Sequence, residues 1–111
     1  MKLPSDIRFV DEITRNAFYK IEKGNDSEKK LFKTITIALN KIEENAFCGI
    51  QIPKRLIPKE YVAKYEIKNL WKYNLSNGWR LMYSIVTSEV LIISLVLEWF
   101  DHKDYEKTFK Y

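Results

Sequence analysis

The chain has 111 residues, of which 46% are hydrophobic and 14% aromatic. This length and composition support a sizeable core, and we predict that residues 1–111 form a single domain. Glycine and proline are scarce, with three of each, which excludes a disordered or low-complexity chain. The formal net charge of +4 favours an anionic partner only moderately, because many proteins with no nucleic-acid role are equally basic.

The single cysteine and the lack of long apolar runs bear on the compartment. Cys48 has no intramolecular partner for a disulfide, which fits a reducing cytoplasm. Its apolar neighbours predict a buried structural thiol rather than a nucleophile. The start of the chain lacks the apolar stretch of a signal peptide, and the most apolar run, residues 90–97, is shorter than the roughly 20 residues that span a bilayer. We therefore predict a cytoplasmic protein with no membrane segment.

Two amphipathic helices are predicted in the first half of the chain, after a short strand near residues 7–10. Asp11 is a plausible N-cap for the first helix, and residues 24–26 break it before the second begins. Apolar residues recur at helical spacing in both: Ile13, Ala17, Phe18 and Ile21 in the first, and Leu31, Ile35, Ala38, Leu39 and Ile42 in the second. The short break predicts an antiparallel helical hairpin.

Residues 51–60 are predicted to be an irregular crossover, because Pro53 and Pro58 interrupt any helix and Lys54, Arg55 and Lys59 make the segment basic. Long connections of this kind often carry function. The alternative is a solvated link between the helices and the sheet.

The period changes to two in the second half of the chain. Strands are predicted at residues 64–75, 79–86 and 90–99, with turns at residues 76–78 and 87–89. Residues 101–111 are predicted to be a short helix or a tail. The order β-α-α-β-β-β predicts an α+β fold, in which the helical hairpin packs on one face of a twisted antiparallel sheet.

Three lysines recur at every fourth position within residues 64–75, and therefore at even spacing along the predicted strand. Lys64, Lys68 and Lys72 would then share one face of the strand, spaced by roughly 6.6–6.8 Å or multiples of it. Such a row matches the spacing of phosphates in an extended single strand and predicts an RNA-binding surface. The alternative is a solvated strand face, or lysines that protect a sheet edge.

The sequence Gly-Trp-Arg-Leu-Met-Tyr at residues 78–83 is similar to the Gly-aromatic-Arg-Leu-aliphatic-Tyr strand of RelE/ParE-type toxins of type II toxin-antitoxin systems. The tail Asp-His-Lys-Asp-Tyr at residues 101–105 resembles the basic, tyrosine-containing end of that family. The resemblance implies a small α+β toxin with a concave basic sheet face. RelE-like members cleave mRNA in the ribosomal A site, ParE-like members inhibit DNA gyrase, and both are neutralised by an antitoxin.

The resemblance also implies site residues. Arg80 matches the arginine of the strand motif, and Lys68 and Lys72 match lysines of the preceding strand by type and approximate spacing. His102 and Tyr105 resemble a C-terminal His-Tyr pair that is adjacent in some members, whereas two residues intervene here. Lys103 stands where many members have arginine.

These residues provide the groups that metal-independent RNA cleavage requires. The 2′-hydroxyl is the nucleophile, so a base must take its proton, an acid must protonate the leaving 5′-oxygen, and cations must stabilise the phosphorane. Arg80 suits the phosphate, and the sole histidine, His102, suits proton transfer near neutral pH. The predicted catalytic residues are Arg80, His102 and Tyr105, and the predicted RNA-binding residues are Lys64, Lys68, Lys72 and Lys103.

Each assignment has an alternative. Arg80 is otherwise a surface arginine paired with a carboxylate such as Glu98, His102 a solvated residue, and Tyr105 a packing residue of a terminal helix. One histidine and one cysteine cannot build the usual zinc set, and no glycine-rich phosphate loop is present, so we expect no metal and no cofactor. The expected partners are an antitoxin protein and mRNA on the ribosome, with a homodimer left open. The other functions considered are a non-catalytic ParE-like inhibitor and an inactive RNA-binding module.

Overall fold

The fold is an α+β arrangement within residues 1–76 and 78–109, which the computed structural model describes. These residues contain four helices and one five-stranded sheet. The helices are α1 (Glu12–Glu22), α2 (Asp26–Glu44), α3 (Lys59–Tyr65) and α4 (His102–Phe109), and the strands are β1 (Asp6–Phe9), β2 (Ile50–Ile52), β3 (Leu70–Asn74), β4 (Arg80–Thr87) and β5 (Ile92–Phe100). The predicted fold class is confirmed.

The helical hairpin forms where the apolar periodicity predicts it. Asp11 caps α1, since its side chain accepts a hydrogen bond of 2.7 Å from the Thr14 backbone N–H. α2 begins with a capping box, in which the Asn25 side chain accepts from the Glu28 backbone N–H and the Glu28 carboxylate accepts from the Asn25 backbone N–H. Both helix starts are therefore fixed by local side-chain chemistry.

The sheet is mixed, with strand order β1-β5-β4-β3-β2. The three strands predicted as an antiparallel meander, β3, β4 and β5, pair as expected. β1 pairs parallel with β5, and the long connection that a parallel pair needs runs through the helical hairpin and the other three strands. β2 adds an antiparallel edge strand within the segment predicted to be irregular. The predicted turn at residues 76–78 includes Asn77, which lies outside the described residues, and Gly78 has a positive φ of 84°.

Successive residues of the strands pack into two clusters, one on each face of the sheet. The hairpin core lies against α1 and α2 and comprises Phe18, Leu31, Ile35, Ala38, Leu39, Ile42, Leu75, Leu81, Tyr83 and Val96. The distal core lies under α3 and α4 and comprises Ile52, Tyr61, Ile67, Leu70, Met82, Leu97, Phe100 and Tyr105. The sheet face opposite the hairpin is therefore partly covered by two short helices. The sequence analysis did not predict α3, and it gave a helix at α4 as one of two alternatives for residues 101–111.

Residues 59–65 are helical, so the prediction of a strand over residues 64–75 is wrong for its first part. Pro58 stands at the start of α3, where its fixed φ suits a helix N-terminus. Tyr61 and Tyr65 are four residues apart, and their rings meet at 5.6 Å between centroids. Glu66 ends the helix in the left-handed conformation, with φ 55°. The strand begins only at Leu70.

We expect Tyr83→Phe to destabilise the protein by about 1–3 kcal/mol, because a buried backbone carbonyl and a partly buried backbone N–H lose their partner. The Tyr83 hydroxyl donates to the Ala46 carbonyl oxygen at 2.6 Å and accepts from the Gly49 N–H at 3.1 Å. Burial raises the pKa of Tyr83, so the hydroxyl keeps its proton. Urea unfolding measures the change. Tyr73→Phe is the control, since that hydroxyl makes no hydrogen bond with the described part of the chain, and an equal loss in both variants would contradict the argument.

Candidate functional site

Two cationic side chains from neighbouring strands meet at the ring of Tyr105 on α4. The Lys72 ammonium of β3 lies 4.8 Å from the ring centroid and donates a hydrogen bond of 3.0 Å to the Tyr105 hydroxyl oxygen. The Arg80 guanidinium carbon of β4 lies 5.4 Å from the same centroid. Cation–π attraction of this kind favours both positions. The structure therefore brings together three of the residues that the sequence analysis selected.

The guanidinium of Arg80 is anchored through one nitrogen. Nη1 donates to the carbonyl oxygens of Gly78 at 2.7 Å and of Trp79 at 3.3 Å. Nε is buried and has no hydrogen-bond partner among the described residues. Arg80 forms no ion pair with Glu98 within residues 1–76 and 78–109, so the alternative of a carboxylate-paired arginine is not what the structure shows. No carboxylate of residues 1–76 and 78–109 is in direct contact with the Arg80 guanidinium.

His102 lies beside Arg80 at the first position of α4. Its Nδ1 is 3.5 Å from Arg80 Nη2, and its Nε2 is 2.9 Å from Oε1 of Glu106, one helical turn further on. The imidazole is largely exposed to solvent. α4 begins here because the Asp101 side chain accepts a hydrogen bond of 2.9 Å from the Asp104 backbone N–H. Because α4 begins at His102, its side chain has a defined position between Arg80 and Glu106.

The spacing between His102 and Tyr105 is explained by the helix. Residues three apart lie on the same side of an α-helix, so two intervening residues still leave both side chains facing Arg80. The sequence could not give this result, because residues 101–111 were equally compatible with a helix and with a tail.

Tyr105 is a buried packing residue as well as a contact of the two cations. It is 3% exposed, its ring stacks on Phe109 at 4.6 Å and it meets Phe100 at 5.9 Å. The packing alternative for Tyr105 is therefore correct. A buried ring that contacts Lys72 and Arg80 is suited to positioning them, and less suited to direct contact with RNA.

The predicted lysine row is wrong. Lys64 is an exposed residue of α3, Lys68 lies in the loop before β3, and only Lys72 is on the strand. Lys68 lines a groove with Ser84 and Thr87, which are four and seven residues along β4 from Arg80, or roughly 13–23 Å along a strand. The sequence analysis predicted one strand because apolar and polar residues alternate from residue 65 onward. The apolar residue at the end of α3, Tyr65, continues the alternation of β3 although it belongs to a helix.

Lys103 is exposed on α4, next to His102 in the chain. No contact within the described part of the chain joins Lys103 to Arg80 or Lys72, and neighbouring residues of a helix do not share a face. Lys72, Arg80 and His102 form one group beside Tyr105, and Lys64, Lys68 and Lys103 are not joined to it.

Cys48 is exposed, which corrects the prediction of a buried thiol. It lies in a single 3₁₀ turn, Ala46–Cys48, in which Ala46 takes the buried position instead. Partial burial still raises the pKa of the Cys48 thiol, so the uncharged form dominates at neutral pH. The conclusion that it is not an activated nucleophile therefore rests on its pKa and not on its burial.

Glu106 is the member of the site that the sequence analysis missed. A glutamate four residues after a histidine is a recognisable helical pair, but only once residues 102–109 are assigned to a helix. In residues 1–76 and 78–109 no three His, Cys, Asp or Glu side chains are grouped so that they would hold a metal ion. Nor does any helix of those residues have the length and apolar character needed to cross a membrane.

No protein-family model matches the chain, and no curated protein and no solved structure is significantly similar to it. The case for a function therefore depends on the site itself and on the motif resemblance.

Proposed function

We propose that the protein is a RelE-like toxin, a metal-independent endoribonuclease that cleaves mRNA on the ribosome and so inhibits translation in the cytoplasm. The observation that carries the proposal is the contact between Arg80 Nη2 and His102 Nδ1, 3.5 Å apart, where the first residue of β4 meets the first residue of α4. A phosphate-binding group and an acid–base group are thereby adjacent, as the attack of a 2′-hydroxyl on the neighbouring phosphorus requires.

The roles follow from the contacts. Arg80 binds the scissile phosphate and stabilises the charge of the phosphorane. His102 takes the proton of the 2′-hydroxyl as the bond between that oxygen and phosphorus forms. The bond from phosphorus to the 5′-oxygen breaks, and the Lys72 ammonium supplies the proton for this leaving oxygen. Tyr105 positions Lys72 and Arg80 through its hydroxyl and its ring. The products are a 2′,3′-cyclic phosphate and a 5′-hydroxyl.

The chemistry of the RNA ends tests this proposal. We expect purified protein, added to ribosomes stalled on a defined mRNA, to yield an upstream fragment with a 2′,3′-cyclic phosphate and a downstream fragment with a 5′-hydroxyl. An mRNA with a single 2′-deoxynucleotide immediately before the cut should stay intact, because the nucleophile is missing. A 3′-hydroxyl end, or unchanged cleavage of the deoxy substrate, would contradict the mechanism.

A second candidate function, inhibition by protein binding alone, has its own support on the helical hairpin. A mostly apolar groove of about 530 Å³ lies along α1 and α2, and its lining residues are Glu22, Lys29, Phe32, Lys33, Thr36 and Ile37. Ile37 is 57% exposed and also lines the adjoining groove that contains Lys41. From Lys29 to Lys41 the helix rises about 18 Å, which corresponds to about three helical turns of a partner.

We propose that this surface receives an acidic amphipathic helix of the protein whose inhibition arrests growth. Its apolar side chains would contact Phe32 and Ile37, and its carboxylates would pair with the lysines that line the groove. Opposite charge along an apolar groove favours this occupant over a basic or neutral helix.

Growth arrest in cells that express single variants separates the two functions. If cleavage is the activity, Arg80→Ala should abolish arrest and Ile37→Gln should leave it unchanged. If partner binding is the activity, the pattern should be reversed, with mRNA intact throughout. Arrest that survives both substitutions would contradict both proposals.

A further inference from the structure

We propose that Glu106 is a positioning residue that holds His102 in the tautomer with the proton on Nε2, so that Nδ1 is the nitrogen that accepts the proton of the 2′-hydroxyl. The assignment of the reaction rests on the proposed function, whereas the tautomer is a property of the free protein. The two can therefore fail separately.

The proposal starts from the two polar contacts of the imidazole. Nε2 lies 2.9 Å from Glu106 Oε1, and Nδ1 lies 3.5 Å from Arg80 Nη2. A carboxylate oxygen only accepts hydrogen bonds, and a guanidinium nitrogen only donates them. The two neighbours therefore make opposite demands on the two ring nitrogens.

Only one of the two neutral tautomers of His102 satisfies both neighbours. With the proton on Nε2, the ring donates to Glu106 and its Nδ1 lone pair faces the N–H of Arg80. With the proton on Nδ1, a donor would face a donor and a lone pair would face a carboxylate. The Nε2–H form is therefore the one that the geometry selects.

The position of α4 keeps this arrangement in place. The side chain of Asp101 caps the helix at Asp104, and the Tyr105 backbone N–H donates to the Asp101 carbonyl at 3.0 Å. Tyr105 anchors the following turn in the distal core. Glu106 thus approaches the imidazole from a helix whose first turn is fixed at both ends. A carboxylate that accepts a hydrogen bond from one ring nitrogen of a histidine is a general way to define its tautomer.

The arrangement couples proton transfer to phosphate binding. Among the residues that the structure describes, the charged groups in direct contact with the imidazole are Arg80, from β4, and Glu106, from α4. When Nδ1 takes the proton from the 2′-hydroxyl, it stops accepting from Arg80 and becomes a cationic donor. The Nη2 N–H of Arg80 is then released toward the oxygens of the phosphorane as their charge develops. Glu106 remains paired with Nε2–H and stabilises the imidazolium.

Nitrogen-15 NMR of the free protein tests the tautomer directly, because His102 is the only histidine in the chain. At a pH well above the usual imidazole range, we expect Nε2 to show the shift of a protonated nitrogen and Nδ1 that of an unprotonated one. Glu106→Ala should reduce the Nε2–H population, and Glu106→Gln should retain it, because the amide oxygen also accepts. Glu60→Ala, on α3, is the control. A wild-type Nδ1–H form, or a spectrum of His102 that Glu106→Ala leaves unchanged, would overturn the proposal.

Kinetics provide the second readout. We expect Glu106→Ala to lower kcat of mRNA cleavage about tenfold with little change in KM, and Glu106→Gln to recover most of the loss. If the wild-type protein cleaves no RNA, the proposed function fails while the NMR result still decides the tautomer. If cleavage occurs and Glu106→Ala has full activity, the positioning role fails while the proposed function stands.

Discussion

Arg80→Ala is expected to lower the rate of mRNA cleavage by roughly a hundredfold to a thousandfold, because the phosphorane loses its principal cationic partner. Arg80→Lys should recover little, since an ammonium cannot form two parallel bonds to phosphate oxygens. The measurement is the single-turnover cleavage rate on ribosomes stalled with a defined mRNA. Thermal unfolding of each variant shows whether the loss of the Nη1 bonds to Gly78 and Trp79 alters the fold.

Arg55→Ala is the matched control for this experiment. Arg55 is an exposed arginine of the basic crossover, in the 3₁₀ turn Lys54–Leu56, so its removal changes the net charge by the same amount as Arg80→Ala. If net charge alone governed RNA binding, both variants would lose activity equally. Equal translation inhibition by wild type and Arg80→Ala would remove Arg80 from the mechanism.

Ile35→Ala should destabilise the protein by about 2–5 kcal/mol, because it opens a cavity at the centre of the hairpin core. Ile35 is 0% exposed, whereas Ile37, on the same helix, is 57% exposed. Ile37→Ala is therefore the control, and its effect should lie within about 0.5 kcal/mol. Urea unfolding followed by circular dichroism measures both. Similar losses in the two variants would mean that α2 presents a different face to the sheet.

Patterns that repeat over several turns or a whole strand were predictable from the sequence. α1 and α2 carry an apolar stripe and strong N-caps, and β4 and β5 are apolar runs bounded by turns. α3 and β2 were missed because seven and three residues are too short to show a period. The parallel pairing of β1 with β5 was missed because the sequence of one strand does not specify which distant strand it pairs with.

The candidate site divides in the same way. Arg80 and His102 were selected by residue type and motif, and the structure brings them together. Glu106 became visible only with α4, since its relation to His102 depends on a helical turn. The sequence analysis grouped Lys64 and Lys68 with Lys72 because it assumed one strand over residues 64–75, whereas the strand begins only at Leu70. Assignments that relied on side-chain chemistry therefore agreed with the structure better than those that relied on an assumed backbone.

The pairing of the first strand with the last has a consequence for biosynthesis. Ser5 and Ser94, 89 residues apart in the chain, share a buried hydrogen bond of 2.7 Å at this junction. Contacts between such remote segments form only after the loop between them closes. While the chain is being made, β1 has no partner until β5 has left the ribosome. Under the proposed function, the protein would become able to attack translation only after β5 has been synthesised.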